Sequence, residues 1–335
     1  MRRFQSGLKW LKGIVAALTL ISASLMPGVP SAASAAVPAA GEFHNAPMPP
    51  PGFDPLTAST SQLAEYGFPK RPPETSPTYK AWTLAMEHAG RRIMFNPNQS
   101  GVRSITLTSN STAKNTSWSG LQGTTYGGQW TEVEAEWEIV PTSGSQGSAY
   151  AWAGLGWTYL LQAGTTSFPN QSPEGSCQYW ASGSLVYYQT VNLNYQVGDT
   201  MYVNITYNPS TDTASLYMED VTQSTNTTCD TSNNVSNSVE AGPLWMNECG
   251  GISGPGASCP YLPTYESSYT DSATGQLYQA TWPWSDCYGW LANGTPYSAG
   301  ATSPIVTNMV VSGTTLAQPV GLNSSEWGDH WLASS

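Results

Sequence analysis

The sequence predicts a single all-β domain, a sandwich or a barrel, preceded by two segments of different character. Three observations carry this. From about Ile105 onward, short runs of alternating polar and apolar residues dominate, separated by clusters of Gly, Asn, Ser and Pro. No sustained helical period appears in that stretch. The first 104 residues, by contrast, hold a targeting-like leader and proline breaks such as Pro47-Met48-Pro49-Pro50-Pro51. The clearest strand is Trp130 to Ile139, where Glu132, Glu134, Glu136 and Glu138 alternate with apolar positions. Leu185–Tyr188, Thr200–Tyr207, Ala214–Met218, Tyr278–Trp282 and Ile305–Val311 follow the same pattern. Residues 105–335 are enough for one substantial core.

The leader has the plan of a secretory signal peptide over residues 1–35. Arg2, Arg3, Lys9 and Lys12 precede an apolar run from Gly13 to Leu25, and Ala33-Ser34-Ala35 offers a small-residue cleavage site. That run is shorter than the roughly 20 residues a spanning helix needs. The expectation is a secreted, extracellular protein with no membrane association after cleavage. Residues 36–104 read as a pro-segment or linker, with a short helix over Thr78–Met94 that carries Lys80, Arg91 and Arg92.

Charge divides the chain. The whole has 11 Lys and Arg against 22 Asp and Glu, a formal net charge of −11. Lys114 is the last Lys or Arg, so the body from Asn115 to Ser335 has carboxylates and no such cation. A body of this kind repels itself at neutral pH and is relieved near the carboxylate pKa of about 4. Operation in acid is the expectation. Nucleic acid is excluded as a partner because phosphate-binding cations are missing from the body. The basic front suggests an electrostatic plug, an inhibitor within the chain that loosens as carboxylates protonate.

Export permits disulfides. The five cysteines are Cys177, Cys229, Cys249, Cys259 and Cys287, an odd count. Cys249 with Cys259, flanking a Gly-rich loop, is the first expected pair, and Cys177 with Cys229 the second. No Cys-x-x-Cys and no His-Glu-x-x-His occurs, so neither a metal nor another cofactor is expected.

The body's only histidine is His330, close to the C-terminus. A Ser-His or Cys-His mechanism therefore lacks a base in the middle of the chain. Asp-Thr-Gly and Asp-Ser-Gly are absent too. Carboxylate chemistry remains, aided by amides and many aromatic rings. It suits hydrolysis of glycosidic bonds or of peptide bonds, and the residues alone do not choose. A β-sandwich glycoside hydrolase with paired carboxylates and a non-catalytic aromatic-rich binding module are the alternatives. The four-glutamate ladder lies on one strand face and reads as a solvated outer face, ahead of a catalytic or calcium-binding row.

A series of segments resembles the glutamic peptidase (eqolisin) family. Asn115-Thr-Ser-Trp118-Ser-Gly120 resembles its Asn-Trp-Ser-Gly opening, and Trp137-Glu-Ile-Val-Pro141 its Trp-x-Val-Pro strand end. Ala151-Trp152-Ala-Gly-Leu-Gly156 resembles its Trp-Val-Gly-Ile segment. Leu160-Leu-Gln162-Ala-Gly164 is similar to its Leu-Gln-Ala-Gly, and Leu244-Trp-Met-Asn-Glu248 to its Glu-Trp-Ile-Val-Glu. These segments keep the family's order along the chain. Four positions depart from it: Ser117 stands for the usual Asn, Gly156-Trp157 for Asp-Gly, Leu244 for a Glu, and Tyr179-Trp180 only roughly matches Trp-Tyr-Glu-Trp.

The resemblance implies a concanavalin-like β-sandwich of two antiparallel sheets and an acid endopeptidase acting on polypeptides; a monomer is expected. It implies a catalytic pair, Gln162 and Glu248, with Glu240 as a rival for the glutamate. Trp118, Trp152 and Tyr179 become the substrate-binding residues. A glutamate near its ordinary pKa can take a proton from water and return it to the leaving amine, and the Gln162 amide can donate to the oxyanion.

Overall fold

A computed structural model of the chain describes residues 43–95, 114–115, 117–124, 129–157, 159–181, 184–231, 235, 242–250, 259 and 261–334. The expected signal peptide, residues 1–35, and the rival glutamate Glu240 lie outside the described residues.

The described body is mostly antiparallel β, as the alternation predicts. The principal strands are β1 (Phe43–Asn45), β2 (Trp118–Gln122), β3 (Trp130–Glu138), β4 (Ser148–Leu155) and β5 (Tyr159–Phe168). They continue with β6 (Gln171–Ala181), β7 (Ser184–Val191), β8 (Thr200–Asn208), β9 (Thr213–Asp220) and β10 (Thr225–Thr231). The last are β11 (Pro243–Gly250), β12 (Thr281–Leu291), β13 (Ile305–Val311), β14 (Thr314–Asn323) and β15 (Glu326–Trp331). The expected strand over Tyr278–Trp282 is broken at Ala280, whose φ of 49° ends one short strand before β12 begins.

Pairing links the strands into one large, nearly closed sheet with two arms. The first arm runs β2–β11–β4–β5–β6–β7, all antiparallel. The second runs β1–β10–β9–β8–β3–β12–β15–β14–β13, also antiparallel. Antiparallel pairing of β13 with β2 joins them.

One apolar core draws inward side chains from both arms. Val133, Ala135 and Trp137 of β3 meet it, as do Ala151 and Ala153 of β4 and Leu161 and Ala163 of β5. Large rings fill it: Trp137 lies 5.0 Å from Trp284, and Trp284 stacks 5.3 Å from Trp327. Each large apolar side chain so buried contributes roughly 1.5–3 kcal/mol. The Cys177–Cys229 disulfide ties β6 in the first arm to β10 in the second, and Cys249–Cys259 closes the loop after β11. Both expected pairs are present, and Cys287 is the odd thiol, buried.

The front segment packs on the outer side of the second arm. β1 pairs with β10, and Arg91–Arg92 adds a short parallel pairing with the same strand. Helix α1 (Thr60–Glu65) begins with a Ser59/Gln62 capping box. Helix α2 (Tyr79–His88) realises the expected helix, ending before Arg91 and Arg92. Leu63, Phe68, Trp82 and Met86 cluster on Tyr202 of β8 and Tyr217 of β9.

That cover overturns one expectation. The glutamate ladder of β3 is not a solvated face: Glu134 is 2% exposed and Glu136 7%. Glu134 accepts from the Tyr202 hydroxyl at 2.9 Å, and Glu136 shares a side-chain hydrogen bond with Asp286. Asp286 reaches the ladder through a bulge in β12, where its φ is 48°.

Candidate active site

The site face is the outer side of the first arm, and alternation builds it. On β4, odd residues enter the core and Tyr150, Trp152 and Gly154 point the other way. On β5 the outward residues include Leu160 and Gln162, on β6 Gln178 and Trp180, and on β11 Leu244, Met246 and Glu248. Trp118, Trp152 and Trp180 form an aromatic cluster there with Tyr150, Leu185 and Trp157. Trp118 stands edge-on to Trp152 at 5.4 Å and to Trp157 at 5.5 Å.

Two motif glycines permit the close packing behind this face. A Cβ on Gly164 would run into the Ala151 carbonyl of β4, and one on Gly120 into the Trp245 carbonyl of β11. The Leu-Gln-Ala-Gly and Trp-Ser-Gly motifs thus end in residues the strand spacing requires.

Gln162 and Glu248 share this face but not a direct hydrogen bond. β4 lies between their strands, with Gly154 opposite Gln162 and Tyr150 opposite Glu248. The four-residue offset along β4 corresponds to about 13 Å of backbone in an untwisted strand. Tyr150 spans much of it: its phenol contacts the Gln162 amide and feels the Glu248 charge.

Glu248 accepts a hydrogen bond from the Trp152 indole Nε1 at 3.2 Å, and the Trp118 side chain bonds it too. Both favour the carboxylate. Burial outweighs them and pushes its pKa up to about 7. The sequence led to an unshifted glutamate near 4, so this is a correction, caused by the apolar cluster around the carboxyl.

Gln162 is 1% exposed, and its Nε2 donates to Gln178 Oε1 at 3.3 Å. Trp180 Nε1 donates to the same oxygen at 3.1 Å. Gln178 Nε2 donates to Ser176 Oγ at 3.0 Å, and Ser176 Oγ donates to the Tyr150 phenol oxygen at 3.2 Å.

Of the five residues expected at the site, four lie on this face. Trp118 and Trp152 are 7% and 0% exposed, so they pack around Glu248 more than they line an open wall. Tyr179 is the exception. It is odd-numbered on β6 and points into the core, 2% exposed, and its neighbour Trp180 takes the outward place. Tyr150, Ser176 and Gln178 escaped the sequence reading. No local signal marks them: Gln178 meets Gln162 only through the register of β5 and β6.

A cavity of about 660 Å³ lies elsewhere, between the front segment and the second arm. His44, Lys70, Glu132 and Asp230 line it, and neither Gln162 nor Glu248 does. Its size alone does not make it the reaction site, because its charged groups already face opposite charges: Lys70 acts on Glu132, and His44 on Asp230. Among the described residues no group of His, Cys, Asp and Glu could hold a metal ion, and no helix is long and apolar enough to cross a membrane.

Residues 116–249 match the sequence profile of the Peptidase A4 family. The span contains Trp118, Trp152, Gln162 and Glu248, and it agrees with the eqolisin resemblance read from the motifs. It supports the class of a glutamic-type peptidase, a hydrolase. Among solved structures, the chain is similar to scytalido-glutamic peptidase with a peptide-based transition-state analogue, at 14% identity and a TM-score of 0.48, covering 65% of this chain and 98% of that one. It is also similar to SCP-B, a member of the eqolisin family in complex with the tripeptide Ala-Ile-His, at 14% identity and a TM-score of 0.46, with the same coverage. No curated protein matches the chain.

Proposed function

We propose that the protein is a secreted endopeptidase that hydrolyses polypeptides with Glu248 and Gln162. The observation that carries this reading is the placement of both residues on one outward face, within one aromatic cluster that contacts both. The Peptidase A4 match over residues 116–249 favours polypeptide over polysaccharide as substrate. In the proposed cycle the Glu248 carboxylate takes a proton from water as the water attacks the scissile carbonyl. It then passes that proton to the leaving amine. The Gln162 carbonyl orients the water. One amide hydrogen, resting on the Tyr150 phenol, turns to the oxyanion, a contribution of about 2.7–4 kcal/mol for one such donor.

Two opposing pH effects set the working range. With Glu248 at about 7, the ionised base falls about tenfold for each pH step of one below that value. Buried carboxylates elsewhere favour acid, as the cation-free body suggests. The two arms are read as the layers of a concanavalin-like sandwich around their shared core. The leader is taken as a signal peptide and the front as a pro-segment. The described part of that segment, residues 43–95, packs on the second arm, whereas the site is on the outside of the first. Any inhibition by these residues therefore acts through the fold and not by filling the site.

Casein digestion by the purified protein across pH 3–8, with Glu248→Gln in parallel, tests the reading. Activity in the wild type and loss of at least about a hundredfold in the variant is the expected outcome. Release of reducing sugar from polysaccharide with no peptide cleavage would replace it with the glycoside hydrolase reading.

A further inference from the structure

We propose that Gln178 is the positioning residue for Gln162, a neutral side chain that holds the Gln162 amide in one orientation. This rests on the assignment of Gln162 and Glu248 as the catalytic pair.

The hydrogen bonds fix which way Gln178 faces. Two nitrogen donors, Trp180 Nε1 and Gln162 Nε2, converge on one atom of its side chain. That atom must be an oxygen, because an amide NH2 accepts nothing. The other end, Nε2, donates to Ser176 Oγ, whose hydroxyl donates in turn to the Tyr150 phenol oxygen. Gln178 therefore has one orientation, held at both ends, in a side chain 8% exposed.

That orientation sets Gln162. With its Nε2 engaged by Gln178, the Gln162 carbonyl lies on the other side of its amide, the end that the proposed cycle turns to the water. Reversing it would set two carbonyl oxygens against each other, in a buried place where an unsatisfied polar group is strongly disfavoured. The register makes the contact structural: Gln162 and Gln178 are directly opposed on β5 and β6. Both chains of the network are neutral, so the geometry is the same over the pH range in which Glu248 gains or loses its proton.

A glutamate at 178 would keep the length and the acceptor but add a buried carboxyl. Ionised, it would still accept from Trp180 and Gln162. It would also put a negative charge on the face that holds Glu248 and oppose ionisation there.

The test measures kcat and KM on a peptide substrate from pH 3 to 8 for the full chain and for Gln178→Leu, Gln178→Glu, Gln162→Ala and Glu248→Gln. Gln178→Leu should lower kcat by about a hundredfold with KM little changed, as a misplaced catalytic group does. Gln178→Glu should retain activity in acid and show a second ionisation in kcat/KM that the wild type lacks. If Gln178→Leu keeps wild-type kcat, or the Gln178→Glu profile superimposes on the wild-type one, the inference is wrong. Should Gln178→Leu fail to fold, the Gln178→Glu profile decides alone. Full activity in Gln162→Ala and Glu248→Gln would sink the catalytic pair instead, a result separable from the first.

Discussion

The two outer faces of this fold are written in the same strand alternation and end as different environments. On the second arm, Glu132, Glu134 and Glu136 gather with Glu219 and Asp286 beneath the front segment, several carboxyls whose charges oppose one another. On the first arm, Glu248 stands apart from other carboxylates, held by two tryptophan side chains. Burial raises the pKa on both faces, to about 7 for Glu248, about 7 for Glu132 and about 8 for Glu136. The difference lies in the neighbours. A solitary, partly exposed carboxyl with N–H donors is a proton carrier that can cycle. A crowded set is a store of protons on which the fold depends.

Among changes that would break this contrast, a large effect from a single covalent link is expected at the disulfide that joins the arms. Cys177→Ser with Cys229→Ser opens a link across 52 residues and should cost about 4 kcal/mol in urea unfolding. A loss below about 1 kcal/mol would mean the arms hold together without it.

Next comes the pH dependence of stability. Carboxyls raised in the folded state keep protons that the unfolded chain releases near 4.5, so the fold binds more protons between those values. Stability is then full below about 4.5 and is lost as pH rises through about 7–8, where Glu132 and Glu136 ionise. A tenfold difference in proton affinity between the folded and unfolded chain corresponds to about 1.4 kcal/mol. Urea midpoints at pH 4 and pH 7.5 measure this, and equal midpoints would contradict it. Glu136→Gln removes one member of the Glu136–Asp286 pair, so it should raise the midpoint at pH 7.5 and leave pH 4 nearly unchanged.

The smallest effect belongs to Lys80. Its exposed ammonium draws the Glu136 and Asp286 pKa values down, so Lys80→Ala should cost a few tenths of a kcal/mol, about what exposed charges contribute, and only near neutral pH.

Strand positions were legible because they follow local alternation. Ile305–Val311 is a strand over the expected residues, and β3 begins at Trp130 as read. Gln162 and Glu248 were named from motifs, and they share a face because each sits at the right parity on its strand. Tyr179 went wrong by one residue, which in a strand is the whole distance between core and surface. The burial of the ladder could not be read from β3 itself, since its cover comes from residues 43–95, far away in sequence. The Glu248 shift was hidden for the same reason: Trp118 and Trp152 surround it only after three strands pair.

The central claim is that Gln162 and Glu248 act together on peptide bonds. Rates of peptide cleavage by the wild type, Gln162→Ala, Glu248→Gln and the double variant, at the pH of greatest wild-type activity, address it directly. Groups that work as a unit give a double variant hardly slower than the worse single one, and that non-additive loss is the predicted result. A double variant that still cleaves peptides at a rate near the wild type's would contradict the account.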